Sequence, residues 1–181
     1  MIGEDGIRIR SAAAGDSAAI ARIHVEAWRD AYAVLLPAEY LARLDPAIET
    51  ARWVRAAERG RNHDTLVAEA EGEVVGYASA GAARGPAGRD QDMARTGEVY
   101  ALYVETDWRE RGVGRALMKT CFRRFREQRL AACVIWCLEG NTAAIGFYRR
   151  CGGVMLGERR LEHVRGLALT VVAFRWDFEK A

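Results

Sequence analysis

The stretch W-R-E-R-G-V-G-R-A-L, residues 108 to 117, sets two glycines and three arginines at the mouth of an apolar-periodic segment. Glycine is a poor helix former and like charges repel. The combination costs stability unless an anion binds there and the backbone has to approach it closely. A helix beginning near Val113 presents the free N–H groups of its first turn together with positive dipole character. Gly112 and Gly114 remove the side chains that would hold a phosphate away, and Arg109, Arg111 and Arg115 supply neutralising charge. Phosphate binding is the chemistry that these residue types offer; a solvated basic helix start with flexible glycines is the blander account. Two other phosphate motifs fit poorly. A dinucleotide fingerprint needs a third glycine where Leu117 stands, and a P-loop needs a Gly-Lys-Ser/Thr that does not follow.

Strands and helices must position this turn, and the chain supplies them in a legible order. Ile7–Arg10 alternates as a short strand. Gly15-Asp16-Ser17 offers a cap, after which Ile20, Ile23, His24, Ala27, Trp28 and Ala31 recur at helical spacing. A second helix is predicted after Pro37, carrying Tyr40, Leu41 and Leu44, and a short third one over Ala51–Ala57. Thr65–Ala68 and Val74–Ala78 flank Glu71-Gly72-Glu73, a hairpin signal. Residues 83–97 make the longest polar loop. Glu98–Val104 reads as a buried central strand running into the glycine–arginine turn and a helix to about Gln128. Ala132–Leu138 is a nearly continuous apolar strand, the pattern of a sheet covered on both faces. A helix from Asn141 through Tyr148 ends at Gly152-Gly153. Val154–Arg160 and Leu167–Phe174 close the chain as a hairpin. The sum is an α/β (α+β) protein with a mixed sheet and helices on both faces.

Composition narrows the function classes. A chain of 181 residues suits one domain, 1–181 with a folded core over about 7–178, and is long enough for a real core. It is 50% apolar and 29% charged, as ordinary globular proteins are. A formal net charge of +2 is too small to imply nucleic acid. The helix face Arg115, Lys119, Arg123, Arg126 lacks interleaved aromatics and reads as a solvated face. No apolar run approaches the ~20 residues of a membrane span, and Met1–Arg10 is charged and lacks a secretory apolar region. Cys121, Cys133, Cys137 and Cys151 sit in apolar segments without paired metal-ligand spacing. Reduced core thiols in a cytoplasmic protein, with no metal, are the expectation.

The spacing around the turn adds a family. Leu102-Tyr103-Val104, then Arg109-x-x-Gly112-x-Gly114, an apolar helix, and Asn141-x-x-Ala144-x-x-x-Tyr148-x-x-x-Gly152 resembles the GNAT superfamily of acyl-CoA-dependent N-acyltransferases. The resemblance covers nearly the whole chain, including the opening Ile7–Ala12 stretch with Asp16 and the Trp28–Tyr32 helix. It implies a mostly antiparallel central sheet of about six to seven strands, splayed in the middle. It implies that backbone amides of Arg111, Gly112, Val113, Gly114, Arg115 and Ala116 hold the pyrophosphate of acetyl-CoA. It also implies that a bulged strand at Leu102, Tyr103 and Val104 pairs with the pantetheine arm, while Asn141 and Ala144 lie against the same co-substrate.

Acyl transfer from a thioester needs a neutral amine and a discharged thiolate. At pH 7 a lysine-like amine of pKa ~10.4 costs about 4.6 kcal/mol to deprotonate, an α-amine of pKa ~7.8 only about 1 kcal/mol. Glu98 is the candidate base, at the strand start where several members of the family carry a glutamate acting directly or through water. The competing role is a rim carboxylate paired with a loop arginine. Glu139 is a weaker candidate, and His24, His63 and His163 are scattered and read as structural. Tyr148 matches the family's usual general acid, which protonates the departing thiolate; a core tyrosine is the alternative. Asn141 can cap its helix and bond the co-substrate as well. The family pattern usually ends Gly-Phe, whereas Gly152-Gly153 stands here, so the packing of that helix end is an open question. Trp28, Tyr32, Tyr40 and the 83–97 loop are expected to line the acceptor site, for a small amine or a peptide terminus, with polyamines and amino acids also open. The closing hairpin is compatible with a homodimer. A non-catalytic acyl-CoA-binding module on the same fold is the competing function, and a dinucleotide oxidoreductase is disfavoured by Leu117.

Overall fold

A computed structural model describes residues 6–58, 64–85, 93–164 and 167–178. Its seven strands form one open mixed sheet: β1 (Arg8–Ser11), β2 (Asp64–Ala70), β3 (Glu73–Ala82), β4 (Thr96–Val104), β5 (Ala132–Leu138), β6 (Val154–Val164) and β7 (Leu167–Asp177). Their order across the sheet is β1-β2-β3-β4-β5-β7-β6. Five α-helices accompany them: α1 (Ser17–Ala31), α2 (Ala38–Ala42), α3 (Pro46–Glu58), α4 (Val113–Glu127) and α5 (Thr142–Arg150). The chain divides into two compact units, Met1–Ala80 with Ala101–Cys121, and Gly81–Tyr100 with Phe122–Ala181.

In the first unit β1, β2 and β3 pair antiparallel. Glu71 and Gly72 take φ of +53° and +84° between β2 and β3, the two left-handed positions that a tight hairpin turn demands. α1 lays Ile20 and Ile23 on Val67, Val74 and Tyr77, following the i, i+3 spacing of its apolar stripe. Its entry is fixed by Asp16, which accepts from Arg10 at 2.6 and 2.9 Å and from the Ala13 amide at 2.6 Å. The Arg10 bonds, more than the Ala13 amide, hold the Asp16 carboxyl below its ordinary range against the opposing effect of burial. α3 starts five residues earlier than its apolar pattern predicts. Asp45 accepts from the Ala47 amide at 2.8 Å and Pro46 opens the helix, a cap-and-proline start that needs no apolar residue. Leu44 falls outside α2, buried in the link that follows it.

The second unit is built on β5. Its parallel register with β4 runs from Thr96↔Ala132 to Val99↔Ile135, and β7 pairs antiparallel along its other side from Ala132↔Asp177 to Leu138↔Val171. β6 completes a hairpin with β7. The alternation of these strands sorts their side chains by face. Phe174 and Trp176 meet Phe122 of α4 and Tyr148 of α5. Glu98, Val134, Trp136 and Ala173 point to the opposite face. Gly97 is required by packing: a Cβ there would come within 2.7 Å of the Phe125 ring. The polar loop is shorter than the sequence suggests, because β3 reaches Ala82 and β4 begins at Thr96. His63 and residues 86–92 of that loop lie outside the described residues.

Candidate functional site

The glycine–arginine turn leaves β4 through a short 3-10 turn, Thr106–Trp108. Glu110 and Gly112 then adopt φ of +60° and +82°, and α4 starts at Val113. A Cβ on Gly112 would meet nothing within 4 Å, so the glycine serves the left-handed backbone and an open surface rather than a close neighbour. The Ala116 amide is already committed to the Gly112 carbonyl at 2.9 Å. Helix geometry leaves the N–H groups of Val113, Gly114 and Arg115 without an intrahelical acceptor, so the open donors are one fewer at this end than the sequence motif implies. Arg111 and Arg115 are exposed, with Arg111 5.1 Å over the Trp108 ring. Arg109 instead braces the turn: it pairs with Asp30 at the end of α1 at 2.5 Å. Gly76 of β3 is the hidden support of this region. A Cβ there would stand 3.0 Å from the Tyr103 carbonyl and 3.3 Å from the Val113 side chain. Three outward N–H groups, two exposed guanidiniums and no side chain over Gly112 suit a pyrophosphate.

Beside this turn in the same unit lies an aromatic cluster. The Trp28 indole donates to the Tyr103 hydroxyl at 2.9 Å, and the Tyr32 hydroxyl lies 3.5 Å from the same oxygen. Trp28 and Tyr32 meet edge to face at 5.0 Å, with Tyr40 6.3 Å from Trp28. His24 Nδ1 shares a 2.8 Å hydrogen bond with the Tyr77 hydroxyl. Burial, then the neighbouring Tyr32 and Glu49, push the Tyr77 phenol well above its ordinary range, so it stays protonated. The structure thus brings the expected acceptor-side residues Trp28, Tyr32 and Tyr40 together and adds Tyr103, whose side chain joins the cluster while its backbone remains on β4.

In the second unit Glu98 is fully buried. Its Oε2 accepts from the Arg84 amide at 2.8 Å, and its Oε1 from Arg84 Nη2 and Nε at 2.6 and 3.1 Å. The guanidinium also lies 4.4 Å over the Tyr100 ring. Burial, then the Glu98 charge, raises the Tyr100 phenol, which donates to the Ala82 carbonyl. Arg84 is the loop arginine of the competing reading, although Glu98 is fully buried rather than at a rim. Glu139, the weaker base candidate, is exposed and paired with Arg159.

α5 carries the last group. Asn141 caps it, its Oδ1 accepting from the Ala144 amide at 3.0 Å. Tyr148 is 6% exposed and packs its ring on Phe147, Phe174 and Trp176. The helix ends in a Schellman motif: Gly152 has φ +82°, its N–H bonds the Arg149 carbonyl, and the Gly153 N–H bonds that of Tyr148. The missing phenylalanine of the family pattern is explained here. A Cβ on Gly153 would fall 2.5 Å from the Trp176 indole, and Trp176 Nε1 donates to the Cys151 carbonyl at 2.9 Å. A ring from β7 fills the space that a side chain at 153 would take. Glu98 and Tyr148 pack on opposite faces of the sheet, so the structure does not gather them on one surface.

Comparison with known proteins agrees with this geometry. The model of the acetyltransferase (GNAT) family matches residues 20–153. An uncharacterized N-acetyltransferase of Bacillus subtilis is 28% identical over 171 residues, 94% of this chain and 92% of that one. An L-methionine sulfoximine/L-methionine sulfone acetyltransferase of Pseudomonas paraeruginosa is 33% identical over 106 residues, 59% of each chain. The structure of a putative acetyltransferase from Salmonella typhimurium with its cofactor acetyl-CoA superposes with a TM-score of 0.69 at 24% identity, covering 97% of this chain and 95% of that one, and supports the fold. With a pyrophosphate-ready turn, an Asn-capped tyrosine helix and a family model spanning both, the chain belongs to the GNAT family of N-acetyltransferases.

Proposed function

We propose that this N-acetyltransferase works in the cytoplasm on the primary amine of a small molecule, by direct transfer from acetyl-CoA in a ternary complex. The observation that carries the reading is the first turn of α4, open at Gly112 and flanked by exposed Arg111 and Arg115. When bound, acetyl-CoA supplies the acetyl group already activated as a thioester. The backbone from Arg111 to Arg115 grips the pyrophosphate, the edge at Leu102, Tyr103 and Val104 takes the pantetheine arm, and Asn141 and Ala144 flank it. The Tyr148 hydroxyl delivers a proton to the departing sulfur, its ring held by three aromatic neighbours. Glu98 takes the proton from the acceptor, directly or through water.

The Arg84 clamp bears on the acceptor class. A carboxylate offers about four lone-pair positions, and Arg84 fills three. Among the described residues both carboxylate oxygens are already engaged by Arg84. A carboxylate so engaged favours an acceptor amine of low pKa, since deprotonation at pH 7 costs about 1 kcal/mol for a peptide-type α-amine and about 4.6 for a lysine-like one. Trp28 and Tyr32 provide an aromatic wall for a compact acceptor, and the relative that acetylates L-methionine sulfoximine and sulfone supports a small molecule. The test is thiol release from acetyl-CoA with a panel of amines, with acetylated product identified by mass spectrometry. Amine-dependent release is expected; tight acetyl-CoA binding with no release by any amine would identify the chain as a binding module instead.

A further inference from the structure

Two N–H donors of the second unit are buried with no hydrogen-bond partner: Nε1 of Trp136 and Nε of Arg160. Unpaired buried donors are costly and rare, and each asks what completes it. The two belong to one small region, because the Arg160 guanidinium lies 3.8 Å over the Trp136 ring. Its Nη2 donates to Glu162, and Nη1 lies against Gly85, where a Cβ would come within 3.4 Å.

Strand register fixes which way these groups face. Trp136 pairs with Ala173 and Arg160 with Val171, two residues apart on β7, so both project from the same side of the sheet. Glu98 pairs with Val134, two residues before Trp136, and shares that side. α4 and α5 pack on the other side through Phe174 and Trp176. On that side Glu98, Arg84 and Arg160 lie beside the apolar Val134 and Ala173, against which Trp136, Ala83 and Leu156 pack.

The unpaired atoms are both donors, so the group that completes them accepts hydrogen bonds. The formal charges of Arg84 and Arg160 are matched by Glu98 and Glu162, which disfavours a dianion such as phosphate and admits a single carboxylate. A guanidinium edge is the side chain best shaped for that group. Both donor atoms are buried, although the Arg160 side chain as a whole keeps 30% of its surface exposed. We propose that Trp136 and Arg160 form a subsite for the carboxylate of the acetyl acceptor, which makes the acceptor an α-amino acid. The inference rests on the acetyltransferase reading above and names its substrate class.

The experiment compares matched pairs that differ only by the carboxyl group: L-leucine with 3-methylbutylamine, L-methionine with 3-(methylthio)propylamine, and L-phenylalanine with phenethylamine. For at least one pair the amino acid should have the higher kcat/KM, by about 10- to 100-fold, as expected for hydrogen bonds to a charged group. In Trp136→Phe, which keeps the ring under Arg160 and removes only the N–H, that ratio should collapse toward one, mainly through KM. Arg160→Lys, which keeps the charge and loses Nε, should collapse it too. Calorimetry with coenzyme A present reads the same subsite without turnover: the amino acid should bind the wild type and lose affinity in both variants. Equal or better use of the carboxyl-free amines overturns the proposal, as does a preference for the amino acid that survives both variants. If no amine is acetylated, the enzymatic reading fails instead; calorimetric discrimination between the members of a pair still decides the subsite.

Discussion

Gly112 and Gly152 share one backbone conformation, φ +82°, at opposite ends of two helices. Gly112 precedes α4 and turns the chain so that the amides of the first turn face outward. Gly152 follows α5 and turns the chain so that the last carbonyls are bonded internally, to the amides of Gly152 and Gly153. One region is an open set of donors beneath exposed arginines. The other is closed, with a tyrosine and a tryptophan ring packed over it. The difference teaches that a left-handed glycine is not in itself a binding signal. What matters is which end of the helix it leaves unsatisfied, since helix starts lack acceptors and helix ends lack donors.

The largest expected effect breaks the closed region's chemistry and spares its packing. Tyr148→Phe keeps the ring against Phe174 and Trp176 and removes the hydroxyl. General-acid help of 10²- to 10⁴-fold corresponds to about 3 to 5 kcal/mol in the barrier. Steady-state kinetics should show kcat lower by that factor with acetyl-CoA affinity nearly unchanged. Wild-type kcat with a lower melting temperature would make Tyr148 a core residue only. Next in size, Gly153→Val forces a branched side chain into the Trp176 indole. Overpacking of this kind costs about 1 to 3 kcal/mol, measurable as a lower urea midpoint, and the added cost of Gly153→Val should be smaller when measured in a Trp176→Ala background.

The smallest effect sharpens the comparison most directly. Gly112→Ala and Gly152→Ala each place a Cβ in a left-handed backbone, at about 1 to 2 kcal/mol, and neither Cβ meets an atom within 4 Å. The two variants should therefore lose similar stability in chemical denaturation. Only Gly112→Ala should also weaken acetyl-CoA in calorimetry. Equal binding by both variants would remove the pyrophosphate from the α4 turn.

The order of elements was legible because periodicity survives without knowledge of tertiary contacts. β5 occupies Ala132–Leu138 as its unbroken apolar run predicts, and the hairpin at Glu71-Gly72 follows from turn chemistry. α3 was misjudged at its start because a capped proline entry carries no apolar stripe. The helix start at Val113 was legible for a different reason: the turn before it uses residue types that a helix otherwise avoids. A loop arginine was expected as the competing partner of Glu98, and Arg84 is that residue; Trp176 was not legible, since it acts on Gly153, far away in sequence. Pairing across such distances leaves no spacing to read. Tyr103 lies on its strand as the sequence suggests, while the part its hydroxyl plays is visible only once α1 brings Trp28 to it.

The Trp176 indole over Gly153 has a consequence for the history of the chain. One ring fills the space at the end of α5, and either of two positions can supply it. In relatives with a bulky aromatic at the place of Gly153, Trp176 has no room and should be replaced by something small. The two positions are expected to change together among descendants of a common ancestor. An intermediate with both rings, or with neither, would pass through a strained or hollow helix end beneath Tyr148.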